Sequence, residues 1–276
     1  MKTVCGKETG QTKMTKKERS PEERAKVIID HLIRHSEING QELSEILSVS
    51  IATIRRDLEK LENEGLLRRI HSGAVLVESM IYEPFRLNSS FSQKEQKQAE
   101  EKRLIGLAAS SLINDGEIIG LTPGTTNTQV ARSIHHVQNV TVVTNAINLA
   151  MELVNRKEIT VFVTGGYLGG NWFSLAGATT STAINDFYFD KLFISVSGVH
   201  PEQGLSTAHP QEIPILRSYI AQAKQKILVA DSSKLNQVSQ GNICDLGEID
   251  ILITDQKADP ALIEHYSSLG WEITFA

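Results

Sequence analysis

Short apolar runs alternate with stretches of helical periodicity through the second half of the chain, and this alternation constrains the fold more than any other feature. The apolar runs fall at residues 117–121, 140–144, 160–164, 192–196, 226–230 and 249–253. Clear helical stretches lie near residues 96–113 and 146–155. Strands that are separated by helices join as parallel neighbours. The pattern therefore predicts an α/β domain with a mostly parallel sheet covered by helices.

The front of the chain has a different pattern, which predicts three short helices. Ser20 and Glu23 have the spacing of a capping box, and Pro21 suits the first position of a helix. A first helix is predicted at about 21–35, and its apolar residues are Ala25, Ile28, Ile29 and Leu32. After a break at residues 39–40, a second helix has a buried face of Leu43, Ile46 and Leu47.

The third helix divides its residues between two faces. Ser50 is placed to cap its start and Gly65 to end it. Its apolar stripe consists of Ile51, Ile54, Leu58 and Leu61. Its other face presents Thr53, Arg55, Arg56 and Lys60. A tight turn before a helix with outward Arg and Thr is the helix-turn-helix arrangement, in which such side chains reach guanine edges or phosphates.

Residues 66–77 are predicted to form a small hairpin after the third helix. Arg68, Arg69 and His71 on its basic arm suit a wing that lies along the phosphate backbone. The same segment also fits a three-helix bundle with an exposed charged face, because carboxylates on the third helix can pair with its arginines. These carboxylates are Asp57, Glu59, Glu62 and Glu64. Pattern alone leaves both interpretations open.

Charge and composition indicate the compartment and the kind of partner. The formal net charge is −5, but the first twenty residues hold more basic than acidic side chains. Residues 1–19 are interpreted as a flexible basic tail, since they lack the apolar core of a signal peptide. No apolar run reaches the roughly 18 residues that cross a membrane. Cys5 and Cys244 suggest neither a disulfide framework nor a zinc site, so we expect a cytoplasmic protein without a metal.

Residues that suit an anionic ligand follow several predicted strands. Ligands of parallel sheets bind beyond the carboxyl ends of the strands, where small residues admit a phosphate and hydroxyls or lysines bind it. The candidates are Gly124, Thr125, Thr126, Asn127, Thr144, Asn145, Gly165, Gly166, Ser197, Gly198, Gly204 and Lys234, with Gly169 and Gly170 just beyond the second glycine pair. Each glycine also fits a tight turn without a ligand. The ATP and dinucleotide fingerprints are absent, so no cofactor is expected.

Two sets of residues resemble the DeoR-type family of transcriptional repressors. Residues 50–58, with Arg24, Ile28 and Leu32 before them and 69–74 after them, resemble its DNA-binding signature. Its sensor domain is matched in order by residues 124–126, 143–145, 164–166, 204–206, Glu212 and 230–234. The chain departs from the family at Ser72, where glycine is usual, and at Thr122-Pro123, where the family commonly places an acidic residue.

The resemblance implies a winged helix-turn-helix at residues 20–77, a linker at 78–95 and a Rossmann-like α/β sensor domain at 96–276. The sensor domain is in turn similar to ribose-5-phosphate isomerases. Ser50, Thr53, Arg55 and Arg56 become candidate DNA contacts, together with Lys60, Arg68, Arg69 and His71, and Glu212 joins the candidate effector residues. Asp57 is interpreted as a structural partner, because a carboxylate would repel phosphate.

A sugar-phosphate isomerase with a DNA-binding appendage is the alternative. Isomerisation needs positioned carboxylates, but Ser195, Ser197, Gly198 and His200 follow the strand at 192–196, where the related isomerases have carboxylates. His135 and His136 are adjacent and would point apart on a helix, so no shared metal is expected. We therefore expect a non-enzymatic repressor of a carbohydrate operon, without catalytic residues. It would bind double-stranded operator DNA as a homo-oligomer and be modulated by a phosphorylated sugar.

Overall fold

The computed structural model of the chain describes residues 19–35, 37–63, 66–76, 89–168 and 173–276. Five sequence predictions fall wholly or mainly outside these ranges. They are the basic tail at 1–19, the helix stop at Gly65, the last residue of the wing at 77, most of the linker at 78–95 and the Gly169-Gly170 pair.

The front domain consists of three helices and a small antiparallel sheet. Its elements are α1 Pro21–His35, β1 Glu37–Asn39, α2 Gly40–Leu47, α3 Ile51–Asn63, β2 Leu67–Ile70 and β3 Gly73–Leu76. The strand order is β1-β3-β2, so β2 and β3 form the predicted hairpin. The prediction of α1 is confirmed at both ends. The sequence did not reveal β1, because three residues are too few to show alternation.

Local hydrogen bonds explain where two of these helices begin. The Ser20 amide donates to Glu23 Oε2 at 2.7 Å, and the Glu23 amide donates to Ser20 Oγ at 3.2 Å, which confirms the capping box. The Thr53 amide donates to Ser50 Oγ at 3.2 Å, so Ser50 caps α3 as predicted. Substituting such a cap by alanine typically costs about 1 kcal/mol.

The rest of the described chain forms the α/β domain. Its elements in order are α4 Ser89–Gln96, α5 Ala99–Ser110, β4 Ile118–Leu121, α6 Thr125–Ser133, β5 Val140–Thr144, α7 Ile147–Leu153, β6 Ile159–Val163, β7 Tyr167–Leu168, β8 Leu175–Ala176, α8 Ala178–Asn185, β9 Phe189–Ile194, β10 Gly198–His200, β11 Gly204–Thr207, α9 Ile213–Gln222, β12 Ala223–Val229, β13 Gly241–Cys244, β14 Ile251–Thr254, α10 Pro260–Ser268 and β15 Glu272–Phe275. Short 3₁₀ turns occupy Pro210–Glu212, Ser232–Lys234 and Leu246–Glu248.

The main sheet confirms the predicted parallel architecture. Within the described residues its strand order is β15-β14-β12-β9-β4-β5-β6, and each neighbouring pair is parallel. Strands β5 and β6 extend from one side of β4, whereas β9, β12, β14 and β15 extend from the other. The order therefore reverses between β4 and β9, which is where open α/β sheets bind ligands.

Smaller elements differ from the sequence analysis. Strands β10, β11 and β13 form a separate antiparallel sheet, and β7 pairs with β8. Helix α4 occupies Ser89–Gln96, although residues 78–95 were expected to be a linker. Its sequence has no apolar periodicity, but Phe91 is buried and packs edge-to-face on Phe173 at 5.2 Å between ring centroids. A tertiary contact, which local pattern cannot show, therefore helps to hold this helix.

Apolar side chains cover both faces of the sheet and hold it in place. Ile119 and Leu121 of β4 are fully buried in one layer, and Leu192 of β9 is fully buried in the other. The front domain contacts this body through α1. There, His136 Nε2 lies 3.1 Å from Asp30 Oδ1, and Leu107 of α5 packs against the apolar core of the front domain.

Candidate functional site

Helix α3 presents two arginines away from its buried stripe. Ile54, Leu58 and Leu61 are buried, whereas Arg55 and Arg56 are exposed. The other predicted contacts on this helix lie at or near the surface: Ser50, Thr53 and Lys60. The Ser50 and Thr53 hydroxyls are 3.0 Å apart, so they hydrogen-bond to each other at the start of the helix. The outer face of α3 is therefore free of the packing that holds its inner face.

Two of the carboxylates named on the third helix, Asp57 and Glu62, pair with arginines outside it rather than with its own arginines, as the bundle alternative would require. Asp57 accepts from Arg24 Nε of α1 at 2.7 Å and from its Nη2 at 3.0 Å. Both side chains are only 12% exposed, which confirms that Asp57 is a structural partner. Glu62 accepts from the Arg69 amide at 2.8 Å and from its guanidinium, and these bonds hold the pKa of Glu62 below its usual value.

The wing carries exposed basic residues and one glycine that sterics require. Arg68, Arg69 and His71 are all exposed. A Cβ on Gly73 would lie 1.9 Å from the Ile38 carbonyl oxygen of the neighbouring strand, so no other residue fits there. The wing accommodates serine at position 72, where the family usually has glycine, because Ser72 is exposed and only its backbone carbonyl is engaged, accepting from the Gly40 amide at 2.9 Å.

In the α/β domain, the loops after β4 and β9 meet where the strand order reverses. Thr122 Oγ1 accepts from the Ser195 amide at 3.0 Å. A Cβ on Gly124 would lie 2.4 Å from Ser195 Oγ, so glycine is needed for this approach. Asn127 is buried, and its amide nitrogen donates to the Phe193 carbonyl at 2.9 Å and to the Thr122 carbonyl at 2.7 Å. Gly124 also caps α6 without a side-chain hydrogen bond, which leaves that helix end suited to an anion.

The predicted residues after β5 and β6 mostly hold the backbone. The Thr144 hydroxyl donates to the Leu121 carbonyl at 2.7 Å. Asn145 donates to the Leu175 carbonyl at 2.9 Å, but its buried Oδ1 accepts no hydrogen bond from any described residue. Thr180 Oγ1 donates to the Gly165 carbonyl at 2.9 Å, and a Cβ on Gly166 would lie 2.3 Å from Thr180 Oγ1. Asn145 is therefore the residue of this group with an unused polar atom.

Ser197, Gly198 and Gly204 belong to the small antiparallel sheet or its approach. Ser197 Oγ accepts from the Ala208 amide at 3.0 Å. A Cβ would lie 2.5 Å from the Gln237 carbonyl oxygen at Gly198 and 2.2 Å from the Cys244 carbonyl oxygen at Gly204. Close backbone approach thus explains both glycines without a ligand, and Gly204 lies at the opposite end of β11 from Thr207.

Glu212 is a buried carboxyl group among hydroxyls. Ser174 Oγ donates to its Oε1 at 2.8 Å, and the Thr207 hydroxyl also bonds to it. Burial raises the pKa of Glu212 above its ordinary value, although both hydroxyls and the charge of Lys94 oppose that shift. The group can therefore exchange hydrogen bonds with a hydroxylated ligand, as acceptor or, when protonated, as donor.

Comparison with known proteins identifies both domains. Residues 24–80 match the family model of the DeoR-like helix-turn-helix domain, and residues 97–256 match that of the DeoR C-terminal sensor domain. The chain belongs to the DeoR family. It is therefore a DNA-binding transcriptional regulator with a sensor domain.

Two curated relatives of this DeoR-family regulator are similar over most of their length. The chain is 35% identical to the HTH-type transcriptional repressor GlcR of Bacillus subtilis (strain 168) over 91% of this chain and 95% of that protein. It is 32% identical to the HTH-type transcriptional regulator GolR of Listeria innocua over 93% of this chain and 99% of that protein. A solved ribose 5-phosphate isomerase A from Methanocaldococcus jannaschii is 16% identical, with a TM-score of 0.37 over 50% of this chain and 55% of that one.

Sequence reasoning did not single out two lysines whose charges interact with that of Lys234. Lys102 of α5 is only 2% exposed, and its Nζ donates to the Lys97 carbonyl at 2.6 Å and to the Lys94 carbonyl. Lys94 lies on α4, close enough to Glu212 and Lys234 for their charges to change its pKa. A signal for Lys102 existed, because it shares a stripe with Ile105 and Ala109 on an otherwise amphipathic helix.

The described residues contain neither a candidate membrane span nor a candidate metal site. No helix in the described ranges is both long and apolar enough to cross a membrane. Likewise, no three His, Cys, Asp or Glu side chains among the described residues are grouped so that they could hold a metal ion.

Proposed function

We propose that this regulator is a cytoplasmic, homo-oligomeric repressor of a carbohydrate operon and that a phosphorylated sugar bound in its sensor domain changes its hold on operator DNA. The observation that carries the DNA-binding half is helix α3, which buries Ile54, Leu58 and Leu61 and turns Arg55 and Arg56 outward. An arginine at this position reaches guanine or phosphate in the major groove. The wing residues Arg68, Arg69 and His71 would contact the backbone beside it.

The effector half of the proposal is supported by the chemistry of the strand ends. An anionic group would meet the amino end of α6 and the ammonium of Lys234, while sugar hydroxyls would meet Glu212 and the unused Oδ1 of Asn145. The other predicted residues that would complete the site are Thr125, Thr126, Ser197 and the glycines at 124, 165 and 166. Close backbone approach explains the predicted glycines at 198 and 204 without a ligand. Thr144 would support the site from behind, because its hydroxyl already bonds to the protein. Asn127 donates to the protein through its amide nitrogen, but its buried Oδ1, like that of Asn145, accepts no hydrogen bond from any described residue.

A regulatory role without catalysis is favoured over isomerisation. The loop after β9 offers Ser195 and Ser197 rather than carboxylates, and a serine at neutral pH is no substitute for a carboxylate base. Glu212 would be a single carboxylate at this site, and isomerisation also needs a second acid that transfers a proton to or from the sugar oxygen. Purified protein should therefore show no turnover of ribose 5-phosphate above a buffer blank, and robust turnover would support the isomerase alternative instead.

Operator binding requires at least two copies in this proposal. Helix-turn-helix proteins read repeated half-sites, and the effector would act by changing how two front domains are spaced. Such a ligand can shift the equilibrium only by its different affinities for the free and the DNA-bound arrangement.

The proposal is tested in two steps with the full-length protein. A melting screen against glucose 6-phosphate, fructose 1-phosphate, fructose 6-phosphate, ribose 5-phosphate and glycerol 3-phosphate, each beside its unphosphorylated counterpart, should find at least one phosphate that raises Tm. A ligand at about 100 times its Kd adds about 2.7 kcal/mol of stability. A genomic DNA fragment selected by the protein is then titrated with and without that ligand. Absence of any Tm rise would contradict the effector half, and absence of selected DNA would contradict the operator half.

A further inference from the structure

Helix α4 packs through Phe91 on Phe173, the residue before Ser174, whose hydroxyl donates to Glu212, although most of α4 was expected to belong to a linker. Lys94 of α4 is close enough to Glu212 and Lys234 for both charges to shift its pKa. Burial lowers the pKa of the Lys94 ammonium, the charge of Lys234 lowers it further, and Glu212 opposes both. A lysine held close to another lysine in a partly desolvated place is stabilised by an incoming anion.

A second lysine joins α4 to the same place. Lys102 is almost fully buried, and its ammonium binds the carbonyl of Lys94, in the last turn of α4, and that of Lys97, just beyond the helix end. Burial is the largest cause that lowers the pKa of Lys102; Asp231 and Glu95 oppose the shift, Lys234 and Lys97 add to it, and the resulting pKa is about 8. Lys94, Lys102 and Lys234 are hereafter called the lysine cluster, and the carboxylates whose charges act on it are Glu212, Asp231 and Glu95.

Helix α4 is anchored to the sensor domain at two further points. Phe91 packs on Phe173, and the next residue, Ser174, is the one that donates to Glu212. Glu95 accepts from Arg132 Nη1 of α6 at 2.8 Å, and Arg132 also donates to Glu152 of α7. A ligand that reaches Glu212 would therefore lie close to Ser174, the neighbour of the Phe173 side chain that supports α4.

Position along the chain gives α4 its importance. It is the first element that the structure describes after β3, the last strand of the DNA-binding domain, and it precedes α5 of the sensor domain. A ligand that binds α4 acts directly on the chain that joins the two domains, which is what a change in domain spacing requires.

We infer that Lys94 on α4 binds the anionic group of the effector together with Lys102 and Lys234, so that the effector itself fixes the helix leading from the DNA-binding domain. This rests on the proposed function, because it takes the strand-end crevice to be the effector site. The ligand class is an organic phosphate with free hydroxyls: the phosphate meets the lysine cluster and the hydroxyls meet Glu212.

The test compares two lysines that lie three residues apart. Full-length Lys94→Gln should bind the phosphate identified in the melting screen at least about 10-fold more weakly, since a hydrogen bond to a charged group is lost. The matched variant Lys97→Gln removes the same charge from an exposed position and should stay within about twofold of the unmodified protein. Lys94→Arg should restore binding to within about threefold, because the charge returns. Inorganic phosphate serves as a second probe in each titration.

Hydrogen exchange of the unmodified protein checks the link to α4. Saturating ligand should slow exchange of the amides at residues 93–98, and Lys94→Gln should lose this protection at equal occupancy. Equal affinities for Lys94→Gln and Lys97→Gln, or unchanged exchange in α4, would overturn the inference while the proposed function stands. Failure of every phosphate to bind the unmodified protein would overturn both.

Discussion

The two domains place their functional side chains in opposite surroundings. In the DNA-binding domain, Arg55 and Arg56 are exposed, and the residues that hold the helix, such as Ile54 and Leu58, are apolar and buried. In the sensor domain, the predicted site residues Asn127 and Glu212 are themselves buried. The DNA-binding domain thus keeps its exposed arginines apart from the residues that stabilise it, whereas the proposed effector site would use buried polar side chains that also hold the fold.

This difference follows from the shape of the ligand. A DNA groove admits a convex helix, so the protein needs only a surface that is supported from behind. A small phosphorylated molecule needs a concave site that removes most of its surface from water, and a concave site is lined by groups that also touch each other. Substitutions should therefore separate binding from stability in the first domain and combine them in the second.

The largest effect is expected at Asn127. Its amide nitrogen donates to the Thr122 carbonyl at 2.7 Å, to the Phe193 carbonyl at 2.9 Å and to Thr122 Oγ1 at 3.2 Å. Asn127→Ala removes these buried hydrogen bonds and leaves the Thr122 carbonyl without its donor, whereas the Phe193 carbonyl and Thr122 Oγ1 keep backbone partners. The free energy of unfolding should fall by about 3 kcal/mol. Urea denaturation measures the change. Asn185→Ala, at an exposed helix end, is the control and should change it by no more than about 0.5 kcal/mol. Equal losses for the two variants would remove the contrast between the domains.

The double variant Arg55→Ala/Arg56→Ala should have the opposite profile. Its affinity for a selected DNA fragment should fall about 100-fold, because each arginine contact contributes about 1–3 kcal/mol. The slope of log Kd against log salt should fall by about one for each arginine that contacts a phosphate. Stability should change by no more than about 0.5 kcal/mol, since neither side chain is packed. Lys224→Ala, an exposed change on the sensor domain, should leave DNA affinity unaltered; an equal loss there would reduce the effect to net charge.

The outcome for sequence-based prediction also differs between the domains. The bounds of α1, the capping residues Ser20 and Ser50 and the exposed arginines all follow from helical periodicity, which is local. The parallel sheet was predicted from alternation, and its order was not, because order depends on crossovers between distant segments. The sequence placed candidate residues after predicted strands that the structure has as β4, β5, β6 and β9.

The sequence could not show which of these candidate residues already make hydrogen bonds or close contacts within the protein. Thr144 is held by Leu121, and Gly204 is explained by the Cys244 carbonyl, both of which are contacts across many residues. Lys94 escaped notice because α4 has no periodic pattern and depends on the contact between Phe91 and Phe173. Long-range packing decides these cases.

A change of pH from 7 to 9 should affect phosphate binding by the sensor domain but not operator binding by the DNA-binding domain. Burial and the charge of Lys234 lower the pKa of Lys102 to about 8, so its ammonium loses a proton as the pH rises through that value. Phosphate affinity of the sensor should then fall, by at most about tenfold per pH unit. Operator affinity without ligand should stay constant over the same range, because arginines keep their charge. Isothermal titration at pH 7, 8 and 9 measures the first quantity and fluorescence anisotropy the second. A flat profile for phosphate would exclude Lys102 from the site.

The same shift has a defined effect on stability. Burial disfavours the charged form of Lys102 in the folded protein, so Lys102 lowers the free energy of unfolding as long as it stays protonated in that state. The unfolded chain keeps the Lys102 proton up to the ordinary pKa of 10.5. The contribution of Lys102 to the free energy of unfolding should therefore rise with pH between about 8 and 10.5.

The smallest effect is expected at Glu212, where a change of one atom tests whether a buried polar group serves both folding and binding. Burial raises the pKa of its carboxyl group, so folding favours the protonated form, and its contribution to stability is lost as the pH rises from the ordinary value of 4.5 through the raised pKa. Glu212→Gln keeps the shape without the charge, so it should gain stability relative to the unmodified protein at pH 7.5 but not at pH 4.5.

Binding should move in the other direction. A glutamine amide cannot accept hydroxyl hydrogens with both of its terminal atoms, so Glu212→Gln should bind the sugar phosphate several-fold more weakly while its affinity for inorganic phosphate, which has no sugar hydroxyls, is preserved. Denaturation at the two pH values and titration with the two ligands give all four numbers. A rise in affinity for inorganic phosphate would place Glu212 at the anion rather than at the hydroxyls, because the substitution removes a charge that repels phosphate. An unchanged pH profile would mean that the carboxyl group is not desolvated, and the sensor would then separate stability from binding just as the DNA-binding domain does.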